Sequence, residues 1–139
     1  VDAVALETRA AELATRSLKK DAKAKGLRLV LAMTDLTTLE GQDTPGKVRQ
    51  LCYKGRHLHD AYPDLPHVAA ICIYPALVKV AKQALAGSGI KVASVATAFP
   101  SGQASRKVKL ADTKFAVAEG PSPLFAVLVQ YKEVEAWKG

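Results

Sequence analysis

Apolar side chains recur three and four residues apart along residues 3–17, where Ala3, Val4, Leu6, Ala10, Leu13 and Ala14, continued by Leu18, make a stripe that Glu7, Arg9, Glu12 and Arg16 mostly avoid. That period predicts an amphipathic helix. A second helical stretch begins near Ser17 and Leu18 and carries Lys19, Lys20, Lys23 and Lys25, with Gly26 as a candidate interruption. The apolar run Leu29 to Met33 follows, and its periodicity suits a helix end and a strand equally. Asp43 or Thr44 then caps a third helix with Pro45 in its first turn and Val48, Leu51 and Cys52 on its inward side.

Beyond the loop His57 to His67 the pattern alternates between strands and helices. Val68 to Tyr74 is a short, nearly continuous apolar run of the kind buried on both faces in a parallel sheet, and Pro75 ends it. The next helix, Ala76 to Ala86, turns Leu77, Val80 or Ala81, Ala84 and Leu85 inward and Lys79, Lys82 and Gln83 outward, stopping at Gly87-Ser88-Gly89. Val92 to Ala96 is another buried strand, closed by Phe99 to Gly102. A helix from Ser105 to Glu119 places Val108, Ala111, Phe115 and Ala118 on one side, and an apolar strand from Leu124 to Val129 follows Gly120. Strands alternating with helices predict an α/β architecture of about four β-α units behind N-terminal helices.

The chain has 139 residues, enough for one domain. Twenty basic and thirteen acidic side chains leave a net charge of +7. The excess is spread along the chain, and its densest run, Arg106 to Lys109, holds no aromatic residue, so no nucleic-acid partner is expected. Cys52 and Cys72 form no C-x-x-C pair, which suits free thiols in the reducing cytoplasm. No apolar run approaches the ~20 residues of a membrane span, and the N-terminus carries no secretory pattern, so no membrane partner is expected either. His57, His59 and His67 lie in one polar loop without a convincing ligand set, and no metal is expected. Ser105 reads as a helix cap in preference to a phosphate site.

Three motifs then share one order and spacing: Met33-Thr34-Asp35-Leu36-Thr37-Thr38-Leu39, Ala70-Ile71-Cys72-Ile73-Tyr74-Pro75, and Val92 through Thr97-Ala98-Phe99-Pro100-Ser101-Gly102. Together they resemble the N-terminal half of the deoxyribose-phosphate aldolase family over roughly residues 15–120. The resemblance implies part of a (β/α)8 TIM barrel. It also implies an aldehyde-lyase that reversibly cleaves 2-deoxyribose 5-phosphate to glyceraldehyde 3-phosphate and acetaldehyde, in deoxynucleoside breakdown, with no cofactor. The chemistry runs through a lysine Schiff base, whose lysine attacks only as a neutral amine, so its site must depress its pKa. By the same resemblance, Asp35 and Thr37 belong to the network around substrate hydroxyls and water at the mouth of the first strand, and Leu39 and Cys72 wall the pocket. An Asp-Leu-Thr-Thr run also suits a strand end, and Cys72 also suits a small buried hydrophobe. Thr97 and Phe99 read first as packing and turn residues.

The departures shape the functional expectation. Where the family carries a catalytic Asp after the helix ending at Gly120, this sequence has Phe125, and the Schiff-base lysine motif and phosphate loops are missing. None of the lysines falls within an apolar strand, Lys91 only preceding one. The reading is a single domain with an N-terminal helical segment (1–27), an aldolase-like half-barrel (28–120) and a divergent tail (121–139), a fragment whose isolated chain is inactive. The alternative is a catalytically dead half-barrel serving as a binding or assembly module. Four strands would leave two open edges and an uncovered apolar inner face, so self-association is expected.

Overall fold

The structure, a computed structural model, describes residues 2–120 and the short strand 127–128. The chain divides into two compact units, residues 1–30 and 31–139. In the first, Asp2 caps α1 (Ala3–Ala14) by accepting a hydrogen bond from the Ala5 N–H at 3.1 Å. α2 (Lys20–Ala32) starts later than the sequence pattern suggests and passes through Gly26 without a break. One glycine costs a helix about 1 kcal/mol, too little to end it. Leu29 to Ala32 thus belong to a helix end, and neither helix buries a single residue. The apolar stripe of α1 is present, but Val4, Leu6 and Leu13 remain exposed.

The second unit holds every buried residue described. Its sheet runs β1 (Asp35–Thr37), β2 (Ala70–Ile73), β3 (Lys91–Val95), β4 (Val127–Leu128), all parallel and in chain order. Between these strands lie α3 (Pro45–Arg56), a 3₁₀ turn (Pro75–Leu77) leading into α4 (Val78–Ala84), and α5 (Arg106–Glu119). Of the expected last strand Leu124 to Val129, only Val127–Leu128 is described, and Phe125 with the rest of the tail lies outside the described residues. Lys91 opens β3 instead of preceding it, paired with Ala70.

Side chains on successive strand residues point to opposite faces, so each strand contributes to two layers. One face packs against helices: Ile71, Ile73 and Val92 meet Val48 and Cys52 of α3, Val78 and Ala81 of α4, and Leu85 and Ile90 beyond it. Gly55 lets α3 press close, since a Cβ there would stand 3.1 Å from Ile71 Cδ1. Arg56 then ties α3 to the end of α4 by donating to the Ala84 and Ala86 carbonyls at 3.0 and 3.3 Å. The thiols of Cys52 and Cys72 are both free and buried.

Two expectations need correction. α5 does not bury the Val108, Ala111, Phe115, Ala118 side: Ala116 is its one fully buried residue, while Val108 and Phe115 are exposed. Asp112, whose carboxylate accepts the Ala98 N–H at 3.2 Å, fixes the phase of this helix, and the 112–116 side is the one it turns inward, next to the 3₁₀ turn and α4. The inner face of the sheet is not uncovered either, because Ala70, Cys72, Ala93 and Val95 are all buried.

Candidate functional site

The inner face is built from small residues framed by larger ones. Cys72 stands between Thr37 of β1 and Ala93 of β3, and Asp35 lies in the row of Ala70 and Lys91. These pairs share a face because parallel neighbours in register point the same way. Ala70, Cys72, Ala93 and Val95 form one cluster, against which Leu39, Tyr74 and Phe99 pack. Each of those three follows the C-terminal end of a different strand by one to four residues. Loops from three consecutive strands therefore converge at the mouth, the end where barrels of this class build their sites.

All four residues singled out in the sequence, Asp35, Thr37, Leu39 and Cys72, meet here. Burial pushes the Cys72 thiol above its ordinary range, a hydrogen bond with the Thr37 side chain pulls it back, and the nearby Asp35 charge pushes it up again. Asp35 and Thr37 are themselves exposed at the face, offering a carboxylate acceptor and a hydroxyl to a polar ligand. Cys52, deep in the helix-facing core, is pushed up to about 11 by burial and cannot act as a thiolate near neutral pH.

The first of the mouth loops is locked by a carboxylate that the sequence pattern suggested only as a helix cap. Thr44, not Asp43, caps α3, accepting the Lys47 N–H at 3.2 Å. The Asp43 side chain, 2% exposed, accepts from the Thr38 hydroxyl at 2.8 Å and the Glu40 N–H at 3.0 Å. Lys47 Nζ reaches both Asp43 and Glu40 at 2.7 Å. The Lys47 contact, chiefly, holds the Asp43 and Glu40 carboxyls below their ordinary range, and the Asp43 contact holds the Lys47 ammonium above its own. A cleft of about 630 Å³ opens beside this network between β1 and α3, lined by Thr37, Thr38, Lys47, Leu51 and Tyr53 among others.

At the third strand the backbone itself is strained. Thr97 and Ala98 adopt φ values of 63° and 60°, a region costing non-glycine residues on the order of 1–3 kcal/mol and found most often near functional sites. The Asp112 carboxylate on the Ala98 N–H holds this bend in place. Asp112 and Asp43 brace the loops at this mouth, a task the sequence did not suggest: Asp43 read only as a candidate helix cap, and Asp112 only as a polar position within a helix.

His57 lines the same cleft as Thr37, and two of the three histidines are engaged locally: His57 Nδ1 meets Asp60 at 3.0 Å and His59 Nε2 the Leu65 carbonyl at 3.1 Å. Among the described residues no three His, Cys, Asp or Glu groups are placed to hold a metal ion. Ser105 caps α5, accepting the Val108 N–H at 3.5 Å. Among the described residues no helix is long and apolar enough to cross a membrane.

No protein-family model matches the chain. Curated relatives do. The chain is 41% identical over 125 residues to a mouse deoxyribose-phosphate aldolase and 38% identical over 128 residues to the human one. Each match takes in 83% of this chain and 39% of the relative. Among solved structures, a putative deoxyribose-phosphate aldolase from Coccidioides immitis superposes with a TM-score of 0.59 at 21% identity, covering 79% of this chain and 39% of that one. The enzyme from Aeropyrum pernix, described as tetrameric, gives 0.58 at 21% identity, covering 76% and 41%. The fold is that of a TIM-barrel portion, and the chain spans about two-fifths of the length of the curated relatives it matches. With curated relatives at 38–41% identity and the same fold, the chain belongs to the deoxyribose-phosphate aldolase family.

Proposed function

We propose that this chain supplies the first β-α units of a Schiff-base aldolase that interconverts 2-deoxyribose 5-phosphate with glyceraldehyde 3-phosphate and acetaldehyde in the cytoplasm. The observation that carries this reading is the convergence of Asp35, Thr37, Leu39 and Cys72 on one face at the strand mouths, in a chain of the aldolase family. Asp35 and Thr37 orient substrate hydroxyls and a water, and Leu39 and Cys72 exclude bulk solvent. No cofactor is needed, because the iminium carbon of a lysine adduct is itself the electron sink for the carbon–carbon cleavage.

Among the described residues no lysine on this face suits the part of the nucleophile. Lys91, which shares a row with Asp35, is exposed, whereas a Schiff-base amine needs a desolvated or cation-flanked site to shed its proton. The isolated chain is therefore expected to be inactive. Incubating it with acetaldehyde and borohydride should leave no adduct that is lost on replacing a single lysine. Reproducible turnover that depends on one lysine of this chain would overturn that statement.

Joining the chain after Gly120 to the remaining portion of a relative should give an active enzyme. In it, Asp35→Ala should raise the barrier by about 2–4 kcal/mol, the scale for losing a preorganised polar contact to reacting atoms, and Cys72→Ser by far less. Equal effects would erase the distinction between a polar contact to substrate and a pocket wall. Self-association belongs to the same proposal. Among the described residues the outer edge of β1 has no strand partner, an unpaired edge is a template for a second chain, and the Aeropyrum pernix relative is a tetramer.

A further inference from the structure

The loop between β1 and α3 does two jobs. It carries Leu39 onto the inner-face cluster, and through the Thr38 N–H it donates a 3.0 Å hydrogen bond to the Cys72 carbonyl. The backbone path from 38 to 44 is neither helix nor strand, and besides the Thr38 bond one turn contact, the Asp43 N–H donating to the Glu40 carbonyl at 3.0 Å, braces it from the main chain. One side chain reaches three points of that path and its neighbouring helix: the Asp43 carboxylate, at Thr38 Oγ1, Glu40 N and Lys47 Nζ. It is nearly inaccessible to water, and Thr38, its partner nearest the site, is 8% exposed. A carboxylate with three donors in a water-poor position makes the strong, charge-assisted kind of hydrogen bond. Cutting it leaves the Thr38 hydroxyl and the Glu40 amide to seek other partners.

We propose that Asp43 is a positioning residue for the inner-face site, a latch that keeps Leu39 seated over Cys72. The proposal rests on reading that face as the substrate site, and its consequence for substrate is indirect: Asp43 touches no reacting atom and acts through Thr38 and Leu39. Released, the loop would lift from the face and open Cys72 to solvent while the helix-facing core stays closed.

The two cysteines make this testable in the chain as it stands, since Cys72 belongs to the buried inner-face cluster against which the loop's Leu39 packs, and Cys52 to the opposite core. Modification by N-ethylmaleimide would be followed peptide by peptide in the parent chain and in Asp43→Ala, Asp43→Asn and Thr38→Val. Local opening is read from the Cys72 rate divided by the Cys52 rate. That ratio should rise about tenfold in Asp43→Ala and about threefold in the two milder variants, as expected of a local opening that spares the core. Amide exchange at Glu40 should accelerate in parallel. A ratio that does not change, or both cysteines reacting faster together, would overturn the latch, because general destabilisation exposes both faces alike. Should Asp43→Ala fail to fold, Asp43→Asn and Thr38→Val carry the same test. The aldolase reading fails separately: an inactive completed chain in which the ratio still rises sinks the substrate role and leaves the latch standing, and an active one with no rise does the reverse.

Discussion

The two faces of the sheet are made of the same three strands and share almost no chemistry. Toward the helices stand Ile71, Ile73 and Val92, branched side chains that interlock with Val48, Val78 and Ala81. Toward the inside stand Ala70, Cys72, Ala93 and Val95, mostly too small to fill space alone, and completed by Leu39, Tyr74 and Phe99 from loops. Large residues on a closed face maximise buried area and fix the helices. Small residues on the other face leave room for polar groups such as Asp35 and Thr37. Stability is therefore concentrated on the helix side, and the polar groups of the candidate site stand on the inner side.

The comparison is most severely tested by deletion on each face. Ile71→Ala removes a fully buried side chain at the centre of the helix-facing core and should cost about 2–5 kcal/mol. Ala93→Gly, its inner-face counterpart, should cost about 1 kcal/mol, chiefly from added backbone freedom. Urea unfolding of both variants checks the order, and equal losses would erase the division of labour. A smaller effect comes from Cys52, whose thiol ionises near 9 when unfolded and near 11 when folded. Because the folded state holds the proton more tightly, its contribution is complete below pH 9 and disappears as pH rises through 11, a loss of about 2–3 kcal/mol. Cys52→Ala should flatten the fall of stability between those pH values, and an unaltered profile would contradict the burial argument.

The smallest effect is confined to the mouth. Asp43 titrates below its ordinary 3.8 and Lys47 above its ordinary 10.5. The ion pair's contribution is thus present between those values, lost at the acid end as Asp43 takes a proton and at the alkaline end as Lys47 releases one. Amide exchange at Glu40, corrected for its intrinsic pH dependence, should be slow and level across the middle of this range and faster outside it.

Much of the architecture was legible in the chain. The strand at Ala70 to Ile73 announced itself as an apolar run, α3 by Pro45 and its cap, and α5 by Ser105 and its length. The four candidate residues came from family resemblance, and alternation along β1 and β2 puts three of them, Asp35, Thr37 and Cys72, on one face. The facing of α5 was not legible, because Val108, Ala111, Phe115 and Ala118 make the more apolar stripe, whereas the side turned inward carries Asp112 and Thr113 beside Ala116. Nor was the job of Asp43, since a carboxylate just before a helix reads as a cap whether or not it is one.

What the sequence determined by itself is local: which segments from Pro45 onward are helical or extended, and which strands are buried on both sides. These follow from period, capping and turn chemistry within a few residues. The tertiary structure decided which side α5 turns inward, which side of the sheet each cysteine faces, and that Asp43 latches a loop. The first two depend on partners far along the chain, Asp112 meeting Ala98 across fourteen residues and Thr38 meeting Cys72 across a strand pair, and no local pattern encodes a contact whose other half lies elsewhere. Asp43 finds its partners within five residues, but the choice between capping the helix and holding the loop rests on how the loop folds back on Thr38.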